Sequence, residues 1–199
     1  MAVVREPKQA RSREAWERVL EVGRQLIEEG GVPALTITEV CRRSGINAPS
    51  LYARVDGRAG LFAAVYERGM AEVRATEERV LLPLPRPDAT TGEQAAEAAE
   101  AVAEVFLVHG RLLRSVITQA ESDPQLLERG AEESRRMMRR AADAIHVDPT
   151  VALEIAQTLY AECVLRTMYG AGFLTGTAET EPAFRARLAR TAVARALAG

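Results

Sequence analysis

Apolar residues recur at intervals of three and four along almost the whole chain. Trp16, Val19, Leu20, Gly23, Leu26 and Ile27 share one helical face, with Glu14, Glu17, Arg18, Glu21 and Arg24 outside it. Gly30-Gly31 ends that helix and Pro33 keeps it from continuing. Two short helices are expected next, then a longer one marked by Leu61, Phe62, Val65, Tyr66, Met70 and Val73. It dissolves before Pro83-Leu84-Pro85-Arg86-Pro87, the strongest breaker in the sequence. In the second half, Ala95, Ala99, Val102, Phe106 and His109 lie on one face. Gly110 is read as an interruption before a helix carrying Leu112, Leu113, Val116 and Ile117. Asp123-Pro124 and Asp148-Pro149 open two further helices, and Pro182 begins the last. Pro is favoured just inside a helix start, where its missing N–H would be unpaired anyway. No strand-like alternation persists, and the fold class expected is all-α.

The informative stretch is Thr36 to Arg58. Thr36-Ile37-Thr38-Glu39 reads as a capping box, hydroxyl and carboxylate each meeting an orphan N–H. Cys41 is small enough for close helix packing, and Gly45, four residues on, suits a sharp turn with φ > 0. Ile46 plugs the turn. Asn47 caps the next helix, Pro49 sits in its first turn and Leu51 faces the core. This is the spacing of a helix-turn-helix. In such a motif the second helix enters the major groove by its N-terminal end. The groups exposed there are Asn47, Ala48, Pro49 and Ser50, then Tyr52 and Arg54. Short side chains let the helix approach base edges. Ser50 suits a base or a phosphate, and Ala48 and Pro49 suit a thymine methyl. Tyr52, Arg54 and Arg58 suit phosphate, a contact that positions without reading sequence.

The run Gly45-Ile46-Asn47-Ala48-Pro49-Ser50-Leu51-Tyr52-Ala53-Arg54-Val55 resembles the DNA-binding domain of the tetracycline-repressor (TetR) family. Thr36-Ile37-Thr38 before it and Arg58-Ala59-Gly60-Leu61 after it extend the likeness. The likeness covers roughly residues 10 to 70. Position 58 is usually Lys in that family and position 59 usually acidic; Arg58 keeps the charge but changes its geometry. The resemblance implies a DNA-binding domain over 1–55 and a helical ligand-binding and dimerisation domain over 56–199. It implies a homodimeric regulator, usually a repressor, that binds double-stranded operator DNA and is released by a small-molecule effector. Thr36, Thr38, Pro49, Ser50, Tyr52, Arg54 and Arg58 are then the carried-over DNA contacts. Helices at about 150–170 and 182–198 would pair with their copies. Ala152, Ala156, Leu159 and Cys163 supply the small apolar stripe for that pairing.

Helix faces suggest Phe106, His109, Met138, Tyr160 and Tyr169 as effector-pocket residues. For His109 the blander account is a cation at a helix C-terminus. Arg135, Arg136, Arg139 and Arg140 read as a solvated face with a Glu132–Arg136 pair. Glu154, Glu162 and Arg166 suit a dimer contact, a pocket lining or a solvent edge. Cys41 and Cys163 stand too far apart in sequence for a disulfide framework, and with the two His they show no metal-ligand spacing. No cofactor or metal is expected. No apolar run is long enough to span a membrane, and Met-Ala-Val-Val-Arg-Glu-Pro-Lys has no signal-peptide core. The expected setting is the cytoplasm, at the nucleoid. The alternative to a regulator is a helical-bundle enzyme or an interaction bundle. No nucleophile–base pair, supported carboxylate pair or Gly-rich phosphate loop argues for catalysis.

Charge alters the picture only when divided. The 199 residues carry a formal charge of -2, from 26 Lys+Arg and 28 Asp+Glu, which by itself disfavours nucleic acid. Residues 1–58 carry +2 and the remainder -4, and the arm of Arg5, Lys8, Arg11 and Arg13 faces only Glu6. A mildly basic reader precedes an acidic sensor. Of the basic residues, 25 are Arg, so Arg itself marks no single site.

Overall fold

A computed structural model describes residues 10–174 and 176–198. Arg5 and Lys8 of the N-terminal arm, and the side chain of Arg11, lie outside the described residues. The described chain is helical, in the order α1 (Ala10–Ala34), α2 (Ile37–Ser44), α3 (Ala48–Tyr52), α4 (Gly57–Leu81), α5 (Thr91–Ala120), α6 (Pro124–Asp143), α7 (Pro149–Tyr169) and α8 (Glu181–Ala198). No strand forms among the described residues, as the all-α expectation requires.

The chain divides into two compact units between Glu72 and Val73. The reason is the first half of α4, where Leu61, Val65 and Tyr66 are buried. This stretch rests on α1 so closely that a Cβ on Gly23 would lie 2.5 Å from Val65 Cγ2. Only glycine permits that approach, and it makes half of α4 part of the first unit. In α1 itself, Gly30 and Gly31 leave helical geometry, Gly31 at φ 69°, so the helix breaks where the Gly pair predicts. Trp16, Val19, Leu20, Leu26 and Ile27 form its buried face.

In the second unit α5 packs against α6, α7 and α8, and α7 also contacts α6 and α8. Thr90 and Glu93 form a full capping box at the start of α5, which the sequence reading placed only at Thr36. The helix then runs unbroken through Gly110 to Ala120. A mid-helix Gly costs about 1 kcal/mol relative to Ala. That is small against the burial of Val102, Val105, Phe106, Leu112 and Val116 on the same helix. At the other end Gln94, nearly buried, donates to the Ala89 carbonyl and accepts from the His146 backbone N–H, at 3.0 and 2.9 Å.

The stripe Ala152, Ala156, Leu159 and Cys163 is buried inside its own chain. It therefore does not supply an outward seam, because α5, α6 and α8 already cover that side of α7. The opposite side of α7 carries Leu153, Ala161, Val164 and Met168, exposed or half-exposed. On α8, Ala183, Ala186, Arg190, Ala194 and Leu197 are exposed. An apolar surface on both sides of one helix is the pattern of an element covered twice.

Candidate functional site

The first unit builds a helix-turn-helix from local chemistry. The Thr36 hydroxyl accepts from the Glu39 backbone N–H at 3.2 Å and starts α2. The reciprocal half of the expected box is replaced: Glu39 turns to Arg42 and Arg43, at 2.6 and 2.7 Å. Those guanidiniums hold the Glu39 carboxyl down to about 2. Gly45 closes α2 at φ 72°, ψ 12°, its N–H on the Cys41 carbonyl at 3.0 Å. A left-handed residue here turns the chain within two positions. Asn47 Oδ1 then accepts from the Ser50 N–H at 2.9 Å and starts α3, with Pro49 in its first turn. Leu51 and Val55 are buried behind α3.

This leaves a row of short polar and apolar groups clear of the core. Thr36, Thr38, Asn47, Pro49, Ser50 and Tyr52 are exposed, Tyr52 at 53%, and Ala48 is half-buried. Arg54 and Arg58 differ from the rest. The Arg54 guanidinium donates to the Ser12 hydroxyl and lies 5.6 Å from the centroid of the Trp16 ring, fastening the end of α3 to α1. Arg58 donates to the Leu35 and Val32 carbonyls, at 2.8 and 2.7 Å. Two backbone acceptors between α1 and α2 are thus satisfied by a side chain twenty-odd residues on. Each of these two arginines, expected on phosphate, also braces its own domain.

In the second unit the five expected pocket residues separate. Phe106 is buried and lines a cleft of about 250 Å³. Tyr160 meets Phe106 edge to face at 5.3 Å, and its hydroxyl hydrogen-bonds Ser134 Oγ at 2.5 Å. Burial raises the Tyr160 phenol. His109 Nε2 lies 2.9 Å from Thr76 Oγ1. Met138 is half-buried on α6, and Tyr169 is exposed, stacked on Phe173 at 4.5 Å. The cleft's remaining walls escaped the sequence reading. Beside Phe106, α5 contributes Gly110, Arg111 and Arg114; α7 contributes Arg166 and Thr167; α8 contributes Phe184. The available signal was two arginines one turn apart beside a helical glycine.

The arginine run of α6 is also more than a solvated face. Arg136 and Arg140 reach Glu77, a carboxylate 1% exposed, at 3.1 and 2.9 Å. Arg136 also meets Glu133, and Arg135 meets Glu128. Glu154 pairs with Arg195, and Glu162 with Arg187 at 3.0 Å. Arg166 donates to the Glu179 carbonyl at 3.0 Å. All of these contacts lie within the chain. Among the described residues no group of three His, Cys, Asp or Glu is placed to hold a metal ion. No helix among them is long and apolar enough to cross a membrane.

Residues 19–65, the stretch that contains this helix-turn-helix, match the family model described as bacterial regulatory proteins, tetR family. The likeness to that family lies in this stretch of the first unit. It is 31% identical over 111 residues to the HTH-type transcriptional repressor BdcR of Escherichia coli (strain K12). That match takes in 55% of this chain and 54% of the relative, so the chain spans about half the relative's length. The fold extends further than the sequence likeness. A crystal structure described as a putative TetR-family regulator from Mesorhizobium loti aligns over 96% of each chain, with TM-score 0.71 and 18% identity. One from Rhodococcus sp. covers 90% of this chain and 99% of its own, with TM-score 0.63 and 14% identity.

Proposed function

We propose that this protein is a ligand-responsive transcriptional regulator, most simply a repressor. It binds operator DNA as a dimer through α3 and is released by a small-molecule effector. The observation that carries this reading is the exposed row on α3 and its flanks. Asn47, Pro49, Ser50 and Tyr52 stand clear of the core while Leu51 and Val55 anchor the helix from behind. Such short groups let a helix lie close to base edges, and hydroxyls supply both donor and acceptor. Thr36 and Thr38 flank the row as neutral phosphate donors. The outward faces of α7 and α8 pair with their copies, and the two α3 helices then reach major grooves one turn, about 34–36 Å, apart. An effector bound in the second unit favours a dimer whose spacing no longer fits, and it acts only through its different affinity for the two states. The protein works on DNA in the cytoplasm. The likeness to bacterial regulatory proteins and to a transcriptional repressor supports regulation rather than catalysis.

The test is a mobility shift on DNA upstream of the protein's own gene. Ser50→Ala and Tyr52→Ala should fold and dimerise normally and lose operator binding. Unimpaired binding by both variants would sink the assignment of α3 as the reading helix.

A further inference from the structure

The cleft between α5, α7 and α8 is set apart by its charge. Arginines of the second unit mostly close on carboxylates: Arg136 and Arg140 on Glu77, Arg185 on Glu104, Arg187 on Glu162 and Glu179. Arg111 and Arg114 are exceptions. They stand one turn apart on the cleft wall, exposed, and their side chains meet no carboxylate among the described residues. Arg166 faces them from α7, held by Glu179 and lying 4.5 Å from the centroid of the Phe184 ring. No Asp or Glu lines the cleft. Like charges gathered without a counter-charge are unfavourable unless an anion joins them.

The rest of the cleft is apolar and small. Phe106 and Phe184 form walls that are buried to 5% and 1% exposure. Cys163 adds a buried thiol that desolvation pushes up to about 12, so it stays protonated and acts as an apolar wall. Gly110 keeps the floor open: a Cβ there would meet only Thr167 Oγ1, at 3.9 Å. The volume of about 250 Å³ falls just below the range of ordinary ligand clefts, about 300–1,000 Å³.

We infer that this cleft binds a small anion on a compact apolar body, with Arg111 and Arg114 holding the anionic head and Phe106 and Phe184 the body. The guanidinium fork matches the paired oxygens of a carboxylate or a phosphate. Reading this ligand as the effector rests on the regulator reading above; the binding itself does not.

Calorimetric titration of the full chain separates the chemistries with three probes: benzoate, its neutral isostere benzamide, and inorganic phosphate, an anion without a body. Benzoate should bind one per chain, at least tenfold tighter than either of the others. The exposed pair Arg111→Ala/Arg114→Ala should fold normally and lose at least tenfold in benzoate affinity. Gly110→Leu, which fills the floor, should also block benzoate while leaving both arginines in place. Equal affinity for benzoate and benzamide overturns the anionic head, and equal affinity for phosphate overturns the apolar body. No binding of benzoate at millimolar concentration overturns the whole proposal. So does a double variant that keeps its affinity, or one that changes oligomeric state without changing affinity, since the arginines then serve a partner chain. Release of operator DNA by benzoate is measured separately. Binding without release sustains the cleft's chemistry and strikes only its role as the effector site.

Discussion

Removing the charge of Glu77 should destabilise the second unit by an amount that its surroundings define. The carboxylate is 1% exposed and holds Arg136 Nη2 at 3.1 Å on one oxygen and Arg140 Nη1 at 2.9 Å on the other. A buried hydrogen bond to a charged group contributes about 1.5–3 kcal/mol. Both guanidiniums are 31% exposed, so water screens and partly rescues them, and about 1 kcal/mol per bond is the appropriate scale. Glu77→Gln keeps the shape and loses the charge, so it should cost roughly 2 kcal/mol. For a chain of this size each kcal/mol moves Tm by about 2–4 °C, which gives a fall of about 4–8 °C. The converse perturbation is harsher. Arg136→Ala/Arg140→Ala leaves the buried carboxylate without its two cations, a change worth about 3–5 kcal/mol. Arg139 supplies the control. It lies on the same helix, is exposed, and forms no ion pair among the described residues, so Arg139→Ala should stay within about 0.5 kcal/mol. Thermal unfolding followed by circular dichroism reads all three. A Glu77→Gln protein melting within a degree of wild type, or an Arg139→Ala protein as damaged as the double variant, would refute the buried-anchor account.

Three further outcomes follow from the thiols and from α7. Cys41 is half-exposed and Cys163 buried, so a thiol reagent at pH 8 should label one cysteine in native protein and two after unfolding. The folded Cys163 thiol is raised to about 12 from an ordinary value of 9.0. Its stabilising contribution is therefore complete below about pH 9 and fades as pH climbs toward 12. Cys163→Ala should show a correspondingly flatter alkaline loss in urea midpoints; an unchanged slope contradicts the assignment. On α7, Leu153→Glu/Val164→Glu places two charges on the outward face. It should weaken self-association by at least tenfold, about 1.4 kcal/mol, in sedimentation equilibrium with helicity unchanged. A dimer of undiminished strength would move the interface elsewhere.

What could be read from sequence was local. The α2–turn–α3 unit depends on contacts three or four residues apart: Thr36 with Glu39, Gly45 with Cys41, Asn47 with Ser50. Those contacts follow from residue type and spacing, so the motif was legible. Glu39 shows the limit, because its carboxylate had three suitors within four residues and chose the cations. Gly110 was misread for a different reason. Propensity there is a penalty of about 1 kcal/mol, and tertiary burial along α5 exceeds it. Glu77 was illegible outright, because its partners lie 59 and 63 residues further along the chain. Periodicity assigned the stripe Ala152–Ala156–Leu159–Cys163 to a seam without saying which neighbour covers it. With α7 apolar on both sides, a pattern of fours fits either surface.

The same limit decides what arginine means in this chain. A count of 25 points to phosphate everywhere and so to no place at all. The geometry sorts them by what each guanidinium already holds. Arg54 and Arg58, expected on DNA, are engaged by Ser12, Val32 and Leu35, so they stiffen the domain that presents α3. Arg136, Arg140, Arg185 and Arg187 are matched by carboxylates of their own unit. Arg111 and Arg114 hold none of these, and they face a cleft that no acidic residue lines. Under the proposed function, the hydroxyls of Thr36 at the start of α2 and of Ser50 and Tyr52 on α3 are phosphate donors beside Arg54 and Arg58. Neutral donors release no counterions, so their contribution to affinity comes from geometry rather than charge density. Under the same proposal, a chain with formal charge -2 presents a face suited to DNA through the helix ends, hydroxyls and turn that build α3, while most guanidiniums of the second unit are already matched by carboxylates.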